Sequence, residues 1–214
     1  MIVWFCRLTC MYVIVSFCLC LCVILCNLLC IFQDVWFFHR QFVQLESYDR
    51  QTSVMQEAQV LMSYWHNDDM FVVSDVYTQA EKEHLYDVKK LLVGLRYILL
   101  VVGFWLLVSG LWLYFRWFDI SRFFTAFRMT VVWFVIFGLL LFVVGWVAWD
   151  WLFDLFHRTL FVDNWLFPVD SFLIQSYPWE FFRNAMVVVL IRSVGLLLLT
   201  WVVLWGITKK PRRA

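Results

Sequence analysis

The sequence predicts an α-helical integral membrane protein, with four transmembrane helices and a small mixed α/β cap next to the membrane on the extracellular side. Of the 214 residues, 64% are hydrophobic, and 14 Trp and 23 Phe are far more than a soluble domain carries. Four runs reach the roughly 20 apolar residues that a helix needs to cross the hydrocarbon. Most charged residues fall between these runs.

The apolar runs divide the chain into eight segments. The predicted transmembrane helices occupy residues 1–32, 91–115, 130–149 and 185–207. The segments between and after them are the first part of the cap at 33–90, a cytoplasmic loop at 116–129, the second part of the cap at 150–184 and a cytoplasmic tail at 208–214.

The distribution of charge predicts the orientation. The loop at 116–129 has three arginines against one acid, Asp119, and the tail is also basic, so both are expected in the cytoplasm. The segments 33–90 and 150–184 hold fifteen of the sixteen acidic residues and all four histidines. We therefore expect both termini in the cytoplasm and the cap outside the cell.

The first apolar run is interpreted as a retained anchor. A secretory signal has an apolar stretch of about half this length and a small-residue cleavage site, which is not found here. All seven cysteines lie in this run, where they act as small hydrophobic residues. The predicted cap has no cysteine, so neither a disulfide nor a catalytic thiol is expected there.

Local patterns predict the parts of the cap. An amphipathic helix is expected at 54–65, with one apolar face formed by Val54, Ala58, Leu61, Met62 and Trp65. The piece at 70–74 favours a strand. Thr78 and Glu81 fit a capping box, which predicts the start of a helix that continues into the second span.

The four histidines are the candidate acid–base residues, because imidazole is the side chain that titrates near neutral pH. His84 has Asp87 one helical turn later. His157 is followed by three polar candidates for orienting or binding roles: Arg158, Asp163 and Asn164. His39 and His66 are expected to be structural or interfacial.

Two arginines within the spans have two interpretations. Arg96 and Arg192 either extend to the outer interface or line a cavity and bind polar headgroup atoms of a lipid substrate. A zinc site is the main chemical alternative at the histidines, but it needs three or four ligands and no H-E-x-x-H spacing occurs. We expect no metal and no cofactor.

Two blocks of the sequence resemble one known family. EHLYDVK at 83–89 resembles an E-x-H-x-x-D-V-K-type motif, and FHRTLFVDNWLFPVD at 156–170 is similar to a longer F-H-x-x-F-F-x-N-D-x-W-x-x-D-P-x-T-D block. FLIQSYPWEFF at 172–182 is similar to the L-I-x-x-F-P-x-x-F-F continuation. Both blocks are typical of the four-span bacterial lipoprotein intramolecular transacylases, Lit, whose Asn-Asp pair appears here as Asp163-Asn164.

The resemblance implies an acyltransferase. It would move the sn-2 acyl chain of a diacylglyceryl-modified cysteine to the α-amino group of that cysteine and produce a lyso-form lipoprotein. The motif histidines correspond to His84 and His157, and the partners implied are a diacylated lipoprotein and membrane lipids, with no nucleic acid. We expect a monomer in the bacterial cell membrane with its active site outside. A non-catalytic membrane assembly factor that binds a lipid or a partner is the alternative.

Overall fold

The computed structural model describes residues 2–67, 72, 74–115, 119–161 and 165–209, with the backbone alone for 2–9. Over these ranges the chain forms nine helices. Their bounds are α1 Ile2–Ile31, α2 Val35–Gln44, α3 Ser47–Arg50, α4 Val54–Tyr64, α5 Gln79–Phe115, α6 Ile120–Val147, α7 Trp149–Leu160, α8 Phe172–Ser176 and α9 Trp179–Lys209. Within the described chain, four helices have the length and composition to cross a membrane: Cys10–Ile31 of α1, α5, α6 and α9.

The chain divides into two compact units. Unit 1 comprises Met1–Asn27, Tyr97–Phe142 and Val189–Ala214. Its core packs apolar residues that include Tyr12, Cys20, Leu113, Phe127, Val131 and Leu197. Many large apolar side chains of this unit are exposed, such as Phe104 at 63% and Trp133 at 70%, which is the surface that lipid covers in a membrane protein.

Unit 2 comprises Leu28–Arg96 and Val143–Val188 and contains the short helices. Its core is aromatic: Phe181 lies 5.3 Å from Phe37 and 5.0 Å from Phe38 between ring centroids, and Phe42 lies 5.6 Å from Tyr177. Such edge-on ring pairs add specific attraction to the burial of apolar surface. Unit 2 carries both histidines of the family motifs.

The predicted capping box begins α5. The Thr78 N–H donates to Glu81 Oε2 at 2.7 Å, and the Glu81 N–H donates to the Thr78 hydroxyl at 3.3 Å. The other carboxylate oxygen of the fully buried Glu81 accepts the Leu173 N–H of α8 at 2.8 Å. One side chain therefore both caps the helix that carries His84 and ties α8 to it.

The mixed α/β character predicted for the cap is corrected: no strand occurs in the ranges that the structure describes, and their elements are all helical. Of the piece at 70–74, only Val72 and Ser74 lie in those ranges, and both are in coil. The side chain of Val72 is 2% exposed, so this position is buried although it does not belong to a strand. A short apolar run fits a buried loop as well as a strand, because a strand also needs a paired neighbour.

Helix α6 begins before the span predicted at 130–149. The Asp119 carboxylate accepts the N–H of Ser121 at 2.9 Å and the N–H of Arg122 at 3.2 Å, which caps a helix that starts at Ile120. Part of the segment predicted as the loop 116–129 is therefore helical. Arg122 and Arg128 lie on the first turns of α6.

Candidate active site

Helices α5 and α7 bring His84 and His157 together within unit 2. The two imidazole centroids lie 6.0 Å apart and their planes differ by 21°. Both side chains are buried, at 7% and 8% exposure. His84 lies in the second turn of α5, and His157 lies near the end of α7.

The part of α5 that carries His84 has the composition of a segment outside the hydrocarbon. Residues 79–90 include six charged side chains, which a lipid core would not accommodate. The apolar stretch begins only at Leu91. Helix α7 is not among the helices with membrane-spanning composition in the described chain.

Aromatic rings surround the histidine pair. Phe161 contacts both imidazoles, with centroid distances of 4.8 Å to His84 and 5.4 Å to His157. Phe167 lies 5.5 Å from His84. The rings around His157 are Phe153 at 4.0 Å, Trp165 at 5.2 Å and Phe156 at 5.3 Å. This shell gives the imidazoles a surrounding of low polarity.

A backbone carbonyl orients His157. The ring nitrogen Nδ1 lies 2.8 Å from the carbonyl oxygen of Phe153, one turn earlier in α7. A carbonyl oxygen can only accept, so Nδ1 carries the proton. In the neutral ring the lone pair is then at Nε2, which can take up a proton.

Burial lowers the pKa of both histidines. The pKa of His84 falls from 6.5 to about 4, because burial and the nearby His157 both disfavour its charged form, while Asp87 acts weakly in the opposite sense. Burial lowers the pKa of His157 as well, opposed by the hydrogen bond to Phe153 and by Asp154. Both rings are therefore neutral at pH 7.

One ring nitrogen of His84 is buried and makes no hydrogen bond in the described chain. Its Nδ1 is inaccessible to solvent and has no hydrogen-bond partner among the residues that the structure describes. A buried nitrogen without a partner is costly, and such atoms mark places where a substrate or a water molecule completes the bonding.

The structure does not bring all predicted polar residues to the pair. The Asp87 carboxylate pairs with Lys90 at 2.5 Å and makes no hydrogen bond with His84 within the described chain. Arg158 pairs with Asp154 at 2.8 Å, and its side chain is 71% exposed. Asp163 and Asn164 lie outside the described residues.

The other residues that the sequence singled out lie outside unit 2 or make contacts of their own. Arg96 donates to the Trp65 carbonyl at 2.9 Å and lies 3.5 Å from a ring nitrogen of His66. Arg192 belongs to α9 and to unit 1. His39 Nδ1 lies 2.8 Å from the hydroxyl of Tyr48. In the described ranges, no three His, Cys, Asp or Glu side chains converge as metal ligands would.

The residues that sequence reasoning did not single out are the ring partners, above all Phe153, Phe161 and Trp165. Phe153 precedes His157 by four residues, the spacing that places two side chains on one helical face, whereas Phe161 and Trp165 lie within the block 156–170 that resembles the family motif. Among 23 Phe and 14 Trp, one such pair does not stand out.

Four helices of membrane-spanning length and a buried pair of neutral imidazoles define a multi-pass membrane protein with a candidate acid–base site. The chain belongs to the lipoprotein intramolecular transacylase Lit family, whose model matches residues 13–182. This family membership makes the protein an acyltransferase that acts on lipoproteins.

Solved structures show the same fold. The lipoprotein intramolecular transacylase Lit from Bacillus cereus superposes with a TM-score of 0.81 at 20% sequence identity, covering 95% of this chain and 97% of that chain. A form of that protein with a histidine replaced by arginine gives 0.80 at 18% identity, covering 97% and 95%. A form with a histidine replaced by alanine gives 0.81 at 18%, covering 100% and 99%. No curated protein matches the chain.

Proposed function

We propose that this chain transfers the sn-2 acyl chain of a diacylglyceryl-cysteine to the α-amino group of the same cysteine, with His84 and His157 as the acid–base pair. The observation that carries the proposal is the convergence of these two buried imidazoles, 6.0 Å apart, from α5 and α7. Family membership supplies the class of reaction.

His157 acts as the base in this mechanism. The α-amino group, with a pKa near 8, must lose a proton as it attacks the ester carbon, because the product is an amide. The hydrogen bond from Nδ1 to the Phe153 carbonyl leaves Nε2 free to accept that proton. It also stabilises the imidazolium that forms for the lifetime of the intermediate.

His84 acts on the oxygens. The N–C bond forms as the ester C–O bond breaks, and the glyceryl oxygen leaves as an alkoxide that needs one proton. The neutral His84 ring can donate to the developing oxyanion, and the proton held by His157 passes to the leaving oxygen. The number of protons is then conserved: the amine loses one and the glyceryl hydroxyl gains one.

Correct positioning of the amine and the ester supplies much of the rate enhancement in this mechanism. Nucleophile and ester belong to one molecule, and a well-oriented intramolecular reaction can recover about 7–11 kcal/mol of the barrier. The aromatic shell of Phe153, Phe156, Phe161, Trp165 and Phe167 suits the acyl chains and excludes water from the neutral imidazoles. Asn164 and Arg158 stay candidates for oxyanion stabilisation, because each carries hydrogen-bond donors, and Asp163 stays a candidate for orienting or binding the substrate.

The site faces the outside of the cell in this proposal, and a single chain is sufficient. The outer location rests on the concentration of acidic residues and histidines in 33–90 and 150–184 and on the basic segment 116–129. Both motif histidines come from the same chain, so no second copy is needed to complete the pair.

Replacement of either histidine tests the mechanism. We expect His84→Ala and His157→Ala each to slow conversion of a diacylated reporter lipoprotein by about 100-fold or more, because removal of an acid–base group costs that much in rate. Mass spectrometry of the reporter N-terminus measures the conversion: a free amine with two O-acyl chains becomes one N-acyl and one O-acyl chain.

His39→Ala is the matched control, since His39 is exposed and contacts Tyr48 rather than the pair. All three variants should insert in the membrane and purify at the same yield as the parent chain. Full conversion by either motif variant would remove that histidine from the mechanism. Inhibition by EDTA that zinc reverses would instead favour a metal site.

A further inference from the structure

A second group of side chains in unit 2 places a guanidinium among three indole rings. The guanidinium of Arg183, in α9, lies over two indole rings, with its central carbon 4.6 Å from the centroid of Trp179 and 5.1 Å from that of Trp146. Trp149 lies beside Trp179, with 6.4 Å between ring centroids and 35° between ring planes. We call these four residues the Arg183 cage.

Two donors of the cage, on Arg183 and Trp149, have no acceptor in the part of the chain that the structure describes. Arg183 Nε is buried and makes no hydrogen bond there. Trp149 Nε1 is likewise buried without a partner in those ranges. No acidic side chain of the described residues forms an ion pair with Arg183, although Glu180 lies one turn earlier on the same helix.

An acceptor from outside the protein would satisfy these two donors. A guanidinium carries five donors and a full charge, and indole offers one donor and no acceptor, so the cage presents donors alone. Leaving a charged donor buried without a partner is unfavourable. The cage opens to the surroundings through Trp146, which is 64% exposed, and Trp179, which is 43% exposed.

We propose that the Arg183 cage binds the phosphate group of a membrane phospholipid. The planar guanidinium fork matches the geometry of phosphate oxygens, and the two indole faces hold it in that orientation. Tryptophan is the residue that membrane proteins place at the depth of lipid headgroups. A diacylglyceryl-cysteine carries a cationic amine and no phosphate, so the charge of the cage favours a phospholipid over the reaction substrate.

The bound lipid would lie along the same aromatic wall as the histidine pair. Trp149 lies 6.0 Å from Phe153, and Phe153 lies 4.0 Å from His157, both between ring centroids. Three successive ring contacts therefore connect Trp179 with His157, the proposed base: Trp179 with Trp149, Trp149 with Phe153, and Phe153 with His157. The headgroup binding itself does not depend on transacylation, and it can be tested without any turnover.

The test measures lipid retention by native mass spectrometry of the full chain released from detergent. Phosphatidylglycerol is titrated against the parent chain and against Arg183→Gln, Arg183→Lys and Arg40→Gln. Arg40 is an exposed residue of α2 outside the cage and serves as the matched control. We expect Arg183→Gln to raise the apparent Kd for phosphatidylglycerol by at least about tenfold. Arg183→Lys should be intermediate, and Arg40→Gln should equal the parent.

Two further ligands identify what is recognised. Diacylglycerol with the same acyl chains should bind weakly and equally to the parent and to Arg183→Gln, because it has no phosphate. Inorganic phosphate should not displace phosphatidylglycerol at equal concentration. Equal phosphatidylglycerol affinity in Arg183→Gln and the parent overturns the proposal, and so does Arg183-dependent binding of diacylglycerol or displacement by inorganic phosphate. Arg183→Lys provides the same comparison if Arg183→Gln does not fold.

Discussion

At the scale of single residues, the main feature is an imidazole pair that has no acidic partner within hydrogen-bonding distance in the described chain. The sequence suggests that Asp87 orients His84, because the two are one turn apart, but the Asp87 carboxylate is paired with Lys90. A backbone carbonyl orients His157 instead. Burial then lowers the pKa of both rings rather than raising it.

The titration of the pair follows from this burial. We expect nuclear magnetic resonance of ring-labelled histidine to show a midpoint for His84 near pH 4, as its pKa requires, and a midpoint for His157 below 6.5. The resonances lost in His84→Ala and in His157→Ala assign the two signals. A midpoint at or above 6.5 for either ring would contradict the burial described for the pair.

The same shifts set the sign of the effect on stability. The folded pKa lies below the unfolded pKa, so the unfolded chain binds protons first as the pH falls. The contribution of the two neutral rings to the stability of the fold is fully present above pH 6.5. It decreases as the pH falls through the lowered pKa values toward 4.

At the scale of elements, Glu81 controls how α5 begins and what α8 contacts. Its carboxylate accepts the N–H and the hydroxyl of Thr78 and the N–H of Leu173, and its side chain is fully buried. The capping box could be predicted because it is local in sequence. The bond to α8 could not, since it joins residues 92 positions apart.

Glu81→Gln tests this role. A neutral amide weakens the charge-assisted bonds, and in either orientation its NH2 group faces a backbone N–H donor, that of Thr78 or that of Leu173. We therefore expect the free energy of unfolding to fall by about 1–3 kcal/mol. Denaturant titration of the purified chain in detergent, followed by tryptophan fluorescence, measures the change. Asp49→Asn, at an exposed position of α3, should stay within about 0.5 kcal/mol of the parent. A similar small effect for Glu81→Gln would show that the buried carboxylate is not needed.

At the scale of the whole molecule, hydrophobicity predicts more than any single motif does. The four spans follow from the apolar runs, because about 20 consecutive apolar residues suit a helix that satisfies its own backbone within hydrocarbon. The resemblance to the transacylases singles out His84 and His157 among the four histidines, but the 6.0 Å between their ring centroids is known only from the structure. The ring shell around them could not be predicted, because aromatic residues occur throughout the chain and their pairing depends on long-range packing.

The predicted orientation is open to direct labelling. In a background in which alanine replaces the native cysteines, Asp49→Cys should react with a membrane-impermeant maleimide on intact cells. Ser121→Cys should react only after the membrane is made permeable, because the basic segment near α6 is expected in the cytoplasm. Both positions are exposed in the structure, so a difference in labelling reports the side of the membrane. The reverse pattern would place the histidine pair inside the cell.

The hydrogen bond from His157 to the Phe153 carbonyl has a genetic consequence. The acceptor belongs to the main chain, so every amino acid at position 153 that keeps the helix supplies it. Point substitutions there can alter the fit around the imidazole, yet they leave its tautomer unchanged. The protonation of Nδ1 therefore depends on the helical backbone and not on which side chain occupies position 153.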